Sequence, residues 1–272
     1  MIRSALTLAF VAGFAAAFGQ TPPPPSFEVA SIKLNTSNTP PLTDAHLWFI
    51  RNVAAETARD GRFAAEGFIA TPLSVLIQLA YNVRDFQISG GPSWVGSERY
   101  DVSARAEGPA TFEQMRPMLR SLLADRFNLT LRHDSKEMPV YELVSSKDGL
   151  KMSPMKEGGC VEAGPAKPFE PLNNCGGIRK QSTAEGQTLE AVGISMARLT
   201  VLLTDAVGRI VVDKTGFTEL FSFRLDWGDR TTDPLGPSMF TALEEQLGLK
   251  LESARGPVEV LVIESVERPT PN

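Results

Sequence analysis

Two stretches of sequence, Leu73-Ser74-Val75-Leu76-Ile77 and Leu199-Thr200-Val201-Leu202-Leu203, decide the fold of this chain. They agree in residue type and begin 126 positions apart, at residues 73 and 199. In both stretches the apolar residues continue at intervals of three and four, as on the buried face of an α-helix. Each predicted helix is followed by the same elements in the same order. The sequence therefore predicts an internal duplication.

The paired segments of the two copies extend from this first helix to a final pair of strands. In chain order they are short strands at 86–89 and 210–213, turns at 90–92 and 214–216, strands at 100–102 and 221–223, second helices ending at 127 and 247, and strand pairs at 129–131 with 139–144 and 249–251 with 257–262. In the first copy we interpret the last pair, over 129–133 and 140–145, as a β-hairpin. A further strand at 62–68 precedes its first helix.

Local signals set the ends of the helices in the first copy. Thr71 and Pro72 are typical of an N-cap followed by the first helical residue. Thr111 and Gln114 form a capping-box pattern that begins the second helix. Pro117 lies inside that helix, so we expect a kink or a later start.

The pattern indicates an α+β protein with two tandem copies of a β-α-β-β-α-β-β unit and antiparallel or mixed sheets, because alternating strands suit a sheet with one solvated face. The predicted divisions are a signal peptide at 1–19, a Pro-rich tether with a strand and an irregular segment at 20–60, the first unit at 61–147, a linker with little regular structure at 148–186 and the second unit at 187–272.

The N-terminus has the pattern of a secretory signal peptide. Arg3 precedes an apolar run at 5–18, and Ala17 and Gly19 are small residues at positions −3 and −1 before Gln20. The run is shorter than the roughly 20 residues that span a bilayer, and no later run approaches that length. We expect an exported protein, periplasmic or extracellular, without a transmembrane segment in the mature chain.

Composition excludes some partners and favours one cross-link. The net charge is −5 and no basic stripe is visible, which argues against nucleic acid. Cys160 and Cys175 are the two cysteines of the chain. In an exported protein a pair this close in sequence indicates a disulfide, and it would close a loop otherwise rich in Pro, Gly and Asn.

No familiar catalytic pattern is present in the sequence, and we predict neither a metal site nor a cofactor. The two histidines, His46 and His133, are far apart and lack zinc-ligand spacing. The candidate carboxylate pairs for a hydrolase are Asp229 with Asp233 and Glu244 with Glu245. Ordinary solvent-exposed acidic residues would produce the same pattern.

The two matching turns are the best candidates for a ligand site. The candidate residues are Ser89, Gly90, Gly91 and Trp94 in the first turn and Asp213, Lys214, Thr215 and Gly216 in the second. Trp94, beside flexible glycines, could stack on a sugar or another ring. The alternative is that the glycines only form the turn and Trp94 covers an edge of the core.

Six segments carry a resemblance to a known family: 27–33 (FEVASIK), 88–94 (ISGGPSW), 98–102 (ERYDV), 122–127 (LLADRF), 212–216 (VDKTG) and 256–263 (GPVEVLVI). Together they resemble the soil-associated family of exported, uncharacterised bacterial proteins, a domain of unknown function. The resemblance implies many paralogues in some soil bacteria and related domains attached to membrane metallopeptidases of the antibiotic-sensor type. It implies no catalytic residue.

Export, duplication and the lack of a catalytic pattern favour a non-enzymatic extracytoplasmic binding or interaction module, with an unknown ligand or protein partner. Two alternatives stay open. One is an exported hydrolase that uses carboxylates, and the other is a sensory or regulatory domain that works with a membrane partner.

Overall fold

The structure is a computed structural model of the chain. It describes residues 24–37, 47–48, 50, 52, 62–156, 158–161, 172–183, 186–228 and 236–269. The predicted signal peptide at 1–19, together with His46, Asp229 and Asp233, lies outside the described residues.

Strands and helices alternate along the described chain. The strands are β1 Val29–Leu34, β2 Arg62–Pro72, β3 Ile88–Gly90, β4 Arg99–Arg105, β5 Thr130–Ser145, β6 Gly177–Thr183, β7 Gly186–Ile194, β8 Val211–Asp213, β9 Phe221–Trp227 and β10 Leu249–Ser265. The helices are α1 Leu73–Tyr81, α2 Trp94–Ser97, α3 Phe112–Phe127, α4 Met196–Val207 and α5 Met239–Ala242, with a 3₁₀ turn at Asp85–Gln87 and a π-helical turn at Leu243–Leu247.

Two of the sheets have three antiparallel strands, in the orders β1-β4-β2 and β6-β7-β9. Each lies beside its own hydrophobic core. The first core packs α1 and α3 with β1 and β4, and the second packs α4 and α5 with β6, β7 and β9. The predicted α+β class is confirmed.

A third sheet, in the order β3-β10-β5-β8, joins the two halves of the chain. Its centre is a long antiparallel ribbon of β5 and β10, with β3 parallel to β10 at one end and β8 parallel to β5 at the other. The predicted mixture of antiparallel and mixed sheets is therefore confirmed.

The ribbon exchanges side chains between the two cores. Leu143 of β5, in the first half, is buried in the second core, whereas Leu261 and Ile263 of β10, in the second half, are buried in the first. Each half therefore completes the hydrophobic core of the other.

The predicted β-hairpin at 129–145 is wrong, because β5 is a single strand paired with β10 along its length. Polar residues between Asp134 and Pro139 interrupt the apolar alternation, and in a single sequence such an interruption resembles a turn. In the ribbon they lie at the middle, where neither β3 nor β8 pairs with it.

The boundary signals had mixed outcomes. The capping box of Thr111 and Gln114 is present, and α3 begins at Phe112 with Pro117 inside. Of the two effects expected from Pro117, a kink or a later start, the later start does not occur. Thr71 is not the N-cap of α1, because β2 continues to Pro72, which is the N-cap, and the Thr71 hydroxyl donates to the Ile69 carbonyl.

The disulfide between Cys160 and Cys175 is confirmed. The expectation of little regular structure over 148–186 is wrong at β6, which pairs antiparallel with β7. The predicted unit boundaries themselves stay predictions.

Equivalent bulges occur in β2 and β7. Two residues before Pro72, the N-cap of α1, Ala70 has a φ of 51°, and its N–H donates to Asp101 Oδ1 at 2.9 Å. Two residues before Ser195, the N-cap of α4, Gly193 has a φ of 62°, and its N–H donates to Ser222 Oγ at 3.1 Å.

Candidate functional site

The two predicted turns lie far apart. β3 pairs with β10 opposite residues 131–133 of β5, whereas β8 pairs with β5 at 141–143. Ten residues of strand separate these positions, which is roughly 33 Å. Because β3 and β8 run in opposite directions, the turns also leave the ribbon at opposite ends. They therefore do not form one site.

The second turn is closed by bonds between Asp213 and Thr215 and by one backbone bond to β5. Asp213 Oδ1 accepts hydrogen bonds from the Thr215 N–H at 2.8 Å and from its hydroxyl at 2.7 Å. The Lys214 N–H donates to the Leu143 carbonyl, and Gly216 has a φ of 76°. These contacts are those of an Asx-type turn that continues from β8.

The first turn brings the chain close to β10. Ser89 and Gly90 pair with Val262 and Ile263. Gly90 has a φ of 81°, and a Cβ there would lie 2.9 Å from the Ile263 carbonyl oxygen. Gly91 follows with a φ of 76°, so the chain turns away from the sheet into α2, which begins at Trp94.

Trp94 is half-buried and contacts both an aromatic ring and a cation. Its indole stacks on Phe127 with ring centroids 6.5 Å apart and 21° between the planes. The Arg268 guanidinium carbon lies 5.1 Å from the Trp94 ring centroid. The edge of the first core thus holds Trp94 in place, as the alternative interpretation expects, while its ring also contacts a charged group.

Glu98 holds that guanidinium through two oxygens. Arg268 Nε lies 2.9 Å from Glu98 Oε1 and 3.0 Å from Oε2, and Arg268 Nη2 lies 2.6 Å from Oε1. The Tyr100 hydroxyl donates to the same carboxylate at 3.0 Å. Arg268 holds the pKa of the Glu98 carboxyl below its ordinary value, and burial together with Glu98 raises the pKa of the Tyr100 hydroxyl.

Backbone and side-chain contacts fix the segment that carries Arg268. The Glu267 N–H donates to the Phe127 carbonyl at 2.7 Å, and Asn128 Nδ2 donates to Glu267 Oε2 at 2.7 Å. The Ser265 hydroxyl donates to the Asn128 carbonyl at 3.3 Å. We call Trp94, Glu98, Phe127 and Asn128 the Trp94 surface, and residues 265–269 the C-terminal strap.

Sequence reasoning found Trp94 but missed Glu98 and Arg268. They are 170 positions apart, and Glu98 Oε1 and Arg268 Nη2 are the atoms of their ion pair at 2.6 Å. A charged residue near a chain end is common on any surface, so no pattern in a single sequence signals such a pair.

The candidate acids and histidine lie elsewhere. Glu244 and Glu245 line a groove of about 360 Å³ together with Lys151 and Phe240. His133 Nδ1 lies 2.5 Å from Glu259 Oε1, with both side chains exposed. Within the residues that the structure describes, no group of three or more His, Cys, Asp or Glu side chains is arranged to hold a metal ion.

The family of the chain follows from its sequence. A family model described as "Protein of unknown function (DUF3738)" matches residues 74–266, and the chain belongs to that family. No curated protein and no solved structure matches the chain. Of the helices in the described ranges, none combines the length and apolar character that a membrane span requires.

Proposed function

We propose that the protein is a non-enzymatic extracytoplasmic interaction module that holds an extended segment of a partner at the Trp94 surface. One observation carries this proposal: the surface already holds a segment that is neither helix nor strand, residues 266–269 of the C-terminal strap, through a stacked indole, a bidentate carboxylate and a backbone hydrogen bond. Such a combination of aromatic and charge-assisted contacts recognises a peptide.

The shifted carboxyl pKa values, at the Trp94 surface and elsewhere in the described residues, suit binding of a cation better than hydrolysis. A general acid needs a carboxyl whose pKa is raised toward neutrality. Three described carboxyls with shifted pKa values, Glu98, Asp134 and Asp226, are all shifted downward by hydrogen bonds from neighbouring groups. They are held ionised, which favours contact with a cation.

Export is supported by several independent features. The disulfide suits an oxidising compartment, and the sequence begins with a signal-peptide pattern. The resemblance to a soil-associated exported family agrees with a periplasmic or extracellular location. Attachment of related domains to membrane metallopeptidases would make a sensory or regulatory role the second candidate. A surface occupied by the protein's own chain favours that role, since its binding can be switched.

We also propose that the two halves arose by duplication of one unit. The matched bulges support this proposal. A residue with a positive φ, Ala70 or Gly193, precedes the first helix of each half, and its N–H donates to a side chain in the middle of the matched segments 100–102 and 221–223, Asp101 or Ser222. The exchange of Leu143 and Leu261 between the cores agrees with two units that once paired as separate chains.

A thermal-shift screen tests the proposed function. The mature chain, residues 20–272, is heated with cell-wall fragments, sugars, peptides, nucleotides and divalent metals. A ligand at 100 times its Kd adds about 2.7 kcal/mol. We expect peptides to raise the Tm, Trp94→Ala to abolish the rise and the control Trp227→Phe to keep it. Turnover of any compound, or a rise that survives Trp94→Ala, would contradict the proposal.

A further inference from the structure

The C-terminal strap is bound chiefly through two consecutive residues, Glu267 and Arg268. The surface contacts the backbone N–H of the first residue, its carboxylate, and the guanidinium of the second. Val266, just before them, packs against the first core. The Trp94 surface thus contacts two adjacent side chains of opposite charge, Glu267 through Asn128 and Arg268 through Glu98.

The part of the surface around Trp94 and Glu98 has the chemistry of a guanidinium site. A carboxylate that takes both Nε and Nη2 matches the planar fork of arginine, which the point charge of lysine cannot reproduce. An indole is the best aromatic partner for a cation. Asn128 adds a donor for a preceding carboxylate. Together these groups select the sequence Glu-Arg in an extended chain.

Glu267 and Arg268 lie beyond the paired part of β10 and beyond Val266, so we expect these two residues of the strap to detach from the Trp94 surface while β10 stays in its sheet. β10 is paired with β3 as far as Ile263 and with β5 as far as Ser265, and residues 266–269 lie outside any strand. The ion pair is partly solvated, since 60% of the Arg268 side chain is exposed. Such exposed pairs are weak and exchange readily.

We propose that the Trp94 surface is a recognition site for a Glu-Arg dipeptide in an extended segment of a partner protein, and that the C-terminal strap occupies this site in cis. The inference rests on the proposed interaction function and names its ligand class. The strap then acts as a tethered competitor, so that the apparent affinity for a partner is reduced by the fraction of time the strap is bound.

The test measures binding of a nine-residue peptide, Glu264 to Asn272 of this sequence, to two forms of the protein. One is the full chain, and the other ends at Val266. Isothermal titration calorimetry should show the shortened chain binding the peptide at least about tenfold more tightly than the full chain. Arg268→Lys in the peptide should weaken binding about fivefold, and Arg268→Ala should abolish it.

Matched variants locate the binding. In the shortened chain, Trp94→Leu should remove binding, while Trp227→Phe, at an indole packed against the second core, should leave it unchanged. If shortening the chain abolishes its cooperative thermal transition, the full-length variant Arg268→Ala replaces it, with the same tenfold gain expected.

Two results would overturn the inference. The first is that the peptide binds the full chain as tightly as it binds the chain without a bound strap, which is the shortened chain or its replacement Arg268→Ala. The second is that this chain without a bound strap is folded but does not bind the peptide. A peptide carrying Arg268→Ala that binds as well as the original would also overturn it. Failure of the Glu-Arg site can be distinguished from failure of the proposed function. If the thermal-shift screen still finds a ligand whose effect requires Trp94, the interaction function stands and only the Glu-Arg site fails. If the screen finds no such ligand, the interaction function fails as well.

Discussion

Asp205→Ala should lower the free energy of unfolding by about 3–5 kcal/mol, because it leaves a buried arginine without its counter-charge. Arg84 Nε lies 2.5 Å from Asp205 Oδ1, and these side chains are only 9% and 7% exposed. Asn52 Nδ2 donates to the other carboxylate oxygen at 2.9 Å. Arg84 precedes β3 and Asp205 lies in α4, so the pair joins the two halves.

Urea denaturation of the disulfide-bonded protein, followed by circular dichroism, measures this loss. The matched control is Glu252→Ala, which removes an exposed ion pair with Lys250 at 3.1 Å. Exposed pairs contribute about 0.2–1 kcal/mol. The double variant Arg84→Met with Asp205→Leu should recover most of the lost stability, because neither charge of this pair is left buried without a partner. The reasoning is refuted if Asp205→Ala costs no more than the control.

Three further predictions concern the turn, the disulfide and the strap. Gly90→Ala should destabilise by about 1–3 kcal/mol in thermal denaturation, since φ is 81° and its Cβ would crowd the Ile263 carbonyl; Gly96→Ala, with open space around it, should not. Serine at both cysteines should cost about 3 kcal/mol by the entropy of a 15-residue loop, and a cost near zero would contradict this. Because the pKa of Glu98 is lowered by Arg268, the strap's contribution should be present above the ordinary carboxyl pKa and lost as pH falls through the lowered one. Tryptophan fluorescence should follow that transition, and Arg268→Ala should move its midpoint to higher pH.

Elements defined by local chemistry were predictable from the sequence. The apolar spacing of α1 and α4, the capping box at Thr111 and the nearby pair of cysteines each act within about fifteen residues. The residues that carry each of these signals are neighbours in the chain, even though the apolar helix faces then pack against distant residues. A single sequence therefore contains the whole signal.

Features that depend on distant partners were not predictable. β5 is continuous through Asp134–Pro139 because β10 supplies a partner for every one of those residues. The pairing of β3 with β10, and of β8 with β5, likewise joins residues that are far apart in the sequence, so no local pattern predicts it. The same limit applies to the site: Trp94 stood out as an aromatic residue beside glycines, but its cation is Arg268, which is far away in the sequence.

The most direct test of the central claim, that the strap occupies the Trp94 surface, is acrylamide quenching of Trp94 fluorescence. The contribution of Trp94 is isolated by subtracting the signal of Trp94→Phe. Arg268→Ala should raise the quenching constant at least about twofold, because it removes the cation from the ring, whereas the control Arg255→Ala should not change it. Equal quenching in the wild type and in Arg268→Ala would contradict the account.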